Sequence, residues 1–216
     1  MTDHAFRIGS VAVTPNVVLA PMSGITDSAY RSVLKEQNPG AVGLVVTELI
    51  SIEALTRQNV RTQNMMRFRD LERPISIQLF GADPVRMADS ARMAEEMGAD
   101  IVDVNCGCPA PKVTKRGGGA ELMRRTNVLQ EILQALRRTL TIPYTVKIRA
   151  GWDEGSRNAV EVARMAEGEG VQAIAVHGRT RTQLYTGEAD WDLVAQVKQA
   201  VRVPVIGSGD ITTAAG

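Results

Sequence analysis

Residues able to exchange protons or to bind anions come directly after short apolar runs of this sequence. Cys108 lies in residues 105–109 (NCGCP), Lys147 and Arg149 end a second run, and His177 ends a third. A lysine at the end of a buried strand is costly to desolvate unless an anion or a carbonyl oxygen meets it. These positions predict one ligand site built from several segments, with Cys108 as the candidate reactive group.

Other residues at equivalent places suit a flat ring with a polar edge. The turn at Pro21 and the polarisable thioether of Met22 can pack beside such a ring. The amide of Gln78, with the lysine and the histidine named above, can hydrogen-bond to its edge. Residues 207–210 (GSGD) can bring bare backbone close to ligand oxygens. This set of donors and packing surfaces indicates a flavin site.

The elements that would position these residues are apolar runs, most of them short, rich in β-branched residues and not alternating. This pattern is typical of parallel strands that are covered on both faces. Amphipathic segments with helical spacing lie between the runs. The predicted strands are residues 17–20, 42–47, 75–79, 101–105, 144–148, 173–177 and 203–206, and the predicted helices include residues 84–97, 126–140, 156–168 and 190–200.

The alternation of strand and helix predicts an α/β protein with a parallel sheet and crossover helices. No dinucleotide-binding fingerprint follows the first strand, which favours a (β/α)8 TIM-type barrel over an open doubly wound sheet. Residues 6–13 predict a small N-terminal β-hairpin. Because about seven strands are visible in residues 1–216, we expect an incomplete barrel in which the eighth strand is missing.

Composition sets broad limits on function. A chain of 216 residues with 44% hydrophobic content can bury a core, and its net charge of +1 gives no global attraction to nucleic acid or membrane. Residues 1–5 lack the pattern of a secretory signal, and no long apolar run is present, so we expect a cytoplasmic protein without a membrane partner. The spacing of Cys106 and Cys108 suits neither a disulfide framework nor a four-ligand zinc site, so no metal is expected. The sequence identifies no protein partner.

Five stretches, taken together, resemble the bacterial tRNA-dihydrouridine synthases, and the resemblance covers nearly the whole chain. They are residues 19–24 (LAPMSG), 105–113 (NCGCPAPKV), 147–151 (KIRAG), 177–180 (HGRT) and 207–211 (GSGDI). The resemblance implies an enzyme with flavin mononucleotide (FMN), reduced by NADPH, that reduces the 5,6 double bond of a uridine in tRNA. It also implies that residues 1–216 are the flavin-binding barrel, without the eighth strand and the C-terminal helical tRNA-binding domain of the family.

The resemblance assigns roles residue by residue. Cys108 matches the catalytic cysteine, which gives a proton to C5 of the uracil while the reduced flavin delivers hydride to C6. Asn105 and Arg149 match positions for the substrate. The positions that match flavin-binding residues are Pro21, Met22, Gln78, Lys147, His177, Gly207, Gly209 and Asp210. A thiol with an ordinary pKa of about 8.5 is able to donate a proton at neutral pH.

Several alternatives stay open at this point. Cys108 could be an inert buried thiol, and the basic group, residues 112, 115, 116, 124 and 125, could meet RNA phosphates or form a solvated face. The enzyme could act on a free pyrimidine, as flavin barrels of the dihydroorotate dehydrogenase kind do. The chain could also be an inactive truncated fragment. Cys106 departs from the family pattern, in which a larger apolar residue is expected.

Overall fold

A computed structural model describes residues 5–213 of the chain. Residues 1–4, which belong to the segment that lacks a secretory signal pattern, lie outside the described residues. Residues 214–216, which belong to the expected helix after the seventh predicted strand, lie outside them too.

An antiparallel hairpin begins the described structure, as the sequence predicts. Strand β1 (Phe6–Ile8) pairs with β2 (Val11–Val13) across a turn in which Gly9 has a φ of +53°, a conformation that glycine adopts without a Cβ penalty. Ile8 and Val13 are fully buried in a small apolar cluster with residues at the amino ends of the parallel strands. The hairpin therefore covers the end of the sheet that faces away from the carboxyl ends.

All other strands form one parallel sheet. Its neighbours in order are β3, β4, β6, β7, β8, β9 and β10, and β5 pairs with the far end of β6. Their bounds are β3 (Val18–Leu19), β4 (Leu44–Val46), β5 (Ile50–Ser51), β6 (Ile75–Phe80), β7 (Ile101–Cys106), β8 (Tyr144–Arg149), β9 (Ile174–His177) and β10 (Val205–Ser208). Within the described residues β3 and β10 are the two ends of this sheet, which confirms the incomplete parallel barrel.

Helices connect most of the successive parallel strands. They are α1 (Ser28–Gln37), α2 (Ile52–Thr56), α3 (Val60–Met65), α4 (Pro84–Glu96), α5 (Pro111–Thr114), α6 (Thr126–Thr139), α7 (Ala159–Gly168) and α8 (Trp191–Ala200). Helix α4 shows why the sequence predicts them: Asp83 accepts hydrogen bonds from the N–H groups of Val85 and Arg86, and Pro84 occupies the first turn. No helix within residues 5–213 is long and apolar enough to cross a membrane.

The parallel strands divide their side chains between two environments. Val102, Val104, Val146 and Ile148 belong to the large apolar core that includes the buried faces of the helices. The alternate residues of the same strands point into the interior of the curled sheet. Many of these are polar, although barrel interiors are usually filled by branched apolar residues.

One buried ion pair holds α1 beside the segment that leads into β6. Arg31 and Glu72 have fully buried side chains, with 2.7 Å between Nε and Oε2. Arg31 also donates to the carbonyl oxygen of Thr26 at 2.6 Å, and the N–H of Thr26 donates to the carbonyl of Met22. The pair therefore supports the loop that follows β3.

We predict that Arg31→Met lowers the free energy of unfolding by about 3–5 kcal/mol, because it leaves the Glu72 carboxylate buried without its cation. Urea denaturation followed by circular dichroism measures the change. Arg57→Met is the matched control, since Arg57 pairs with Glu53 on the surface, and it should cost less than about 1 kcal/mol. Equal effects of the two substitutions would contradict the prediction.

Candidate functional site

A cavity of about 610 Å³ opens at the carboxyl ends of the parallel strands. Small-molecule sites occupy roughly 300–1,000 Å³, and barrel proteins place them at this face. Predicted site residues that line the cavity are Pro21, Met22, Asn105, Cys108, Lys147, Arg149 and His177. Seven of the eleven predicted positions therefore meet in one place.

Strand register explains why these side chains converge. Asn105 of β7 pairs with Lys147 of β8, and one layer further along, Arg149 of β8 pairs with His177 of β9. His177 in turn pairs with Ser208 of β10, which also lines the cavity. Because neighbours in register lie side by side on the same face, these residues form two adjacent layers of one wall.

The Cys108 thiol is partly exposed at the cavity, on a turn held by hydrogen bonds. Asn105 Oδ1 accepts from the N–H of Gly107 at 3.2 Å and from the N–H of Cys108 at 2.9 Å. The carbonyl of Cys108 accepts from the N–H of Ala120 at 3.0 Å. Gly119 makes this approach possible, because a Cβ there would lie 2.6 Å from the Cys108 carbonyl oxygen. The backbone of Cys108 is thus held at both its N–H group and its carbonyl group.

Lys147 presents an ammonium group to the cavity. Its Nζ has no hydrogen-bond or ion-pair partner within the part of the chain that the structure describes. Burial lowers the pKa of Lys147 from 10.5 to about 8, and the nearby Asp103 carboxylate opposes that shift. At neutral pH the side chain is mostly cationic. An unpaired cation with a perturbed pKa in a cleft is a candidate for ligand binding.

His177 lies close to three cations and is held in its neutral form. Burial first, and then the charges of Arg149, Lys147 and Arg179, lower the pKa of His177 from 6.5 to about 4. Its Nε2 is buried and has no hydrogen-bond partner among the described residues. A neutral imidazole offers one N–H donor and one acceptor, so His177 is able to hydrogen-bond a ligand without adding charge.

Arg149 connects two loops at the cavity mouth. Its Nε donates to the carbonyl of Gly107, and its Nη1 donates to the carbonyls of Thr180 and Leu184, each at 2.9 Å. The guanidinium also lies 5.8 Å from the ring centroid of Tyr185. Most of its donors are therefore committed to the protein, and contact with a substrate remains a prediction.

The other predicted positions lie beneath or beside the cavity. Gln78 is fully buried and binds neighbouring side chains instead of lining the cavity. Asp210 accepts two hydrogen bonds from Arg179, at 2.7 and 2.8 Å. A Cβ at Gly207 would lie 2.3 Å from the Trp191 ring, so this glycine allows β10 to pack on α8. A Cβ at Gly209 would lie 3.0 Å from His177 Nε2, so this glycine leaves room for the imidazole.

Two features of the site were not predicted as site residues. Leu184 and Tyr185 line the mouth, with Leu184 at a φ of +53°, and the sequence gives no clear signal for this turn. Asp103 lies under the cavity at 6% exposure. A carboxylate in the middle of a buried run (residues 101–105, IVDVN) is itself a signal, since Asp is rarely buried without a partner.

The basic group predicted after Cys108 is fully on the surface. Lys112, Lys115, Arg116, Arg124 and Arg125 are all exposed. Arg124 and Arg181 each stack on the Trp152 ring, with 4.7 and 4.6 Å from guanidinium carbon to ring centroid. In the range that the structure describes, no group of three or more His, Cys, Asp or Glu is placed to hold a metal ion.

Comparison with known proteins matches residues 18–216 to the family model described as dihydrouridine synthase (Dus). The chain is 42% identical over 207 residues to tRNA-dihydrouridine synthase B of Pseudomonas syringae pv. tomato, which covers 96% of this chain and 60% of that protein. It is 43% identical over 209 residues to a probable tRNA-dihydrouridine synthase of Rickettsia bellii, with coverage of 95% and 63%. The chain thus spans about 60% of the length of these curated relatives.

Solved structures with low sequence identity share the fold. Histamine dehydrogenase from Rhizobium sp. 4-9 superposes with a TM-score of 0.70 at 15% identity, covering 97% of this chain and 42% of that one. Morphinone reductase in complex with tetrahydroNAD gives a TM-score of 0.60 at 14% identity, covering 95% and 79%. At such identities the likeness concerns the fold alone.

We predict that the ring-proton NMR signal of His177 does not move at the usual histidine pKa of about 6.5, and moves only near pH 4. His177→Gln assigns the signal. Below about pH 6.5 an unfolded histidine binds a proton that the folded one does not, so stability should fall as the pH falls from there to about 4. A titration midpoint near 6.5 would contradict the buried, cation-flanked environment.

Proposed function

The chain belongs to the dihydrouridine synthase family, and on that premise we propose that its cavity binds FMN and serves the reduction of a tRNA uridine to 5,6-dihydrouridine. The observation that carries the proposal is the meeting of three groups in one cavity. These are the partly exposed thiol of Cys108, the unpaired ammonium of Lys147 and the neutral imidazole of His177.

The residues present fit a flavin. Pro21 and Met22 offer apolar packing surface, which suits a flat ring. Among residues 5–213, His177 Nε2 is buried without a hydrogen-bond partner, and the Lys147 side chain lines the same cavity. Both groups are able to hydrogen-bond the polar edge of a flavin ring. The cavity volume lies within the usual range for small-molecule sites. A flavin bound here would supply hydride to C6 of the uracil, and NADPH would be the source of its electrons.

Cys108 is proposed as the acid. The S–H bond breaks as its proton goes to C5 of the uracil, and the thiolate that remains takes a proton from water. A positioned thiol is able to act as a general acid. Addition at C6 places negative charge on the O4 side of the uracil. Cationic and amide donors such as Lys147 and Asn105 would stabilise that charge.

The substrate is proposed to be tRNA with the target base turned out of its stack. A cavity at the end of a curled sheet cannot reach the 5,6 bond of a stacked base, so the base must leave the stack. The exposed basic group that follows Cys108 in the sequence supports contact with RNA phosphates. We propose that residues 1–216 act as the flavin-binding barrel of a cytoplasmic enzyme, with further RNA contacts supplied by a helical domain of the family.

Flavin binding is tested directly by quenching of FMN fluorescence on titration with the full chain. We predict that Lys147→Met raises the dissociation constant for FMN about tenfold, the loss of roughly one hydrogen bond to a charged group. In the wild type the affinity should fall as the pH rises through about 8, because the ammonium loses its proton there. Lys198→Met on the outer face of α8 is the matched control and should change neither value. Absence of FMN binding, or binding indifferent to Lys147, would refute the proposed cofactor site.

Turnover is tested with an unmodified tRNA transcript, FMN and NADPH, by counting dihydrouridine in the digested RNA. We predict that Cys108→Ala lowers the rate by about 10²–10⁴-fold, the usual contribution of a positioned acid, with FMN affinity unchanged. Cys106→Ala is the matched control, since Cys106 is fully buried in the large apolar core between the sheet and the helices. Undiminished turnover in Cys108→Ala would exclude the thiol as the donor. Reduction of free uridine in place of tRNA would show a different substrate.

A further inference from the structure

A chain of buried hydrogen bonds runs from the interior of the sheet to the turn that carries Cys108. Gln78 Nε2 donates to Asp103 Oδ2 at 2.6 Å, and Asn105 Nδ2 donates to Gln78 Oε1 at 2.7 Å. Asn105 Oδ1 then accepts from the N–H groups of Gly107 and Cys108. We propose that Asp103 is a positioning residue that fixes the direction of both amides and thereby the position of the Cys108 turn.

The groups at the two ends of this hydrogen-bond chain fix which atom of each amide is the donor and which is the acceptor. Both Asp103 oxygens accept hydrogen bonds, Oδ1 from Thr145 and Oδ2 from Gln78, so Asp103 takes the NH₂ of Gln78 and leaves the Gln78 oxygen for Asn105. The backbone N–H groups at the other end only donate, so they require the oxygen of Asn105 and leave its NH₂ for Gln78. The two amides could each be reversed in isolation, but between these fixed ends only one orientation satisfies every atom.

The orientation of the Asn105 side-chain amide determines whether the Cys108 side chain faces the cavity. Along β7, Val104 and Cys106 lie in the outer core while Asp103 and Asn105 face inward. A strand that simply continued would turn residue 108 outward again. Hydrogen bonds from residues two and three positions further on to an Asn side chain form a local turn, and with this turn Cys108 lines the cavity.

Packing alone does not account for a carboxylate at position 103. The side chain is 6% exposed, and burial raises the pKa of Asp103, an effect that the hydrogen bonds from Thr145 and Gln78 and the charge of Lys147 oppose. An apolar residue would fill the same layer at a lower desolvation cost. Asp103 faces Gln78 and Thr145 directly in the register of β6, β7 and β8. Its partners are therefore set by the sheet itself.

The test exchanges the polarity of one link. Asp103→Asn replaces one acceptor oxygen with an NH₂ group. When that NH₂ faces Gln78, it favours the reversed orientation of the Gln78 amide. The double variant Asp103→Asn with Gln78→Glu restores the original orientation, because the new NH₂ donates to a carboxylate that still accepts from Asn105. Gln78→Glu alone places two carboxylates together and is expected to be the worst case. Thr145→Val is the matched control, since it removes the other donor to Asp103 and leaves the direction of the amides unchanged.

Two readouts need neither flavin nor RNA: hydrogen exchange of the Cys108 amide, and the alkylation rate of its thiol by iodoacetamide. We expect Asp103→Asn to speed exchange about tenfold, as the loss of one hydrogen bond would, and to change the alkylation rate. The double variant should return both to within about threefold of the wild type. Thr145→Val should leave both unchanged.

The proposal is overturned if the double variant protects the Cys108 amide no better than Asp103→Asn, or if Thr145→Val has the same effect. If Asp103→Asn does not fold, the double variant decides alone: it must fold with wild-type protection, and failure to do so refutes the proposal. Only the catalytic meaning of the turn rests on the proposed function. Failure to bind FMN would leave the exchange results standing, so the two proposals fail separately.

Discussion

The register of three neighbouring parallel strands is the constraint on which the site depends. Residues in register face the same side, so Gln78, Asp103 and Thr145 share one layer of the interior. The next layer joins Asn105 to Lys147, and the sheet order then extends this wall towards β10. A shift of one residue in any of these pairings would turn a polar side chain into the apolar outer core. The outer valines and isoleucines, which demand burial, therefore hold the polar interior in place.

The positive charge around the cavity is limited by the neutral form of one side chain and by one buried carboxylate. Burial lowers the pKa of His177, and the charges of Arg149, Lys147 and Arg179 lower it further, so an additional cation here would be costly. His177 avoids that cost by staying neutral. Asp103 is the buried carboxylate that offsets part of this charge. What remains is a pocket with a modest excess of positive charge, which suits an electron-rich ligand more than a cationic one.

The sequence predicts the scaffold better than the fine structure of the site. Seven strands are recognised because buried parallel strands leave apolar runs of β-branched residues. The polar residues that follow these runs indicate that the site lies at the carboxyl ends of the strands. The network of Asp103 could not be derived, because its partners are 25 and 42 residues away and meet only through strand register. Gly207 shows the opposite difficulty: a glycine beside a predicted ligand has a packing reason in the ring of Trp191.

The two cysteines show how a short segment gives neighbouring thiols different environments. Cys106 ends β7 on its outer face, is fully buried among apolar side chains, and burial raises the pKa of its thiol well above the ordinary value. Such a thiol is a small apolar group with little reactivity. Cys108 follows after one glycine, yet the turn at Asn105 reverses its direction and exposes it to the cavity. The chemistry available at position 108 thus comes from the backbone turn, and the same residue two positions earlier would be inert.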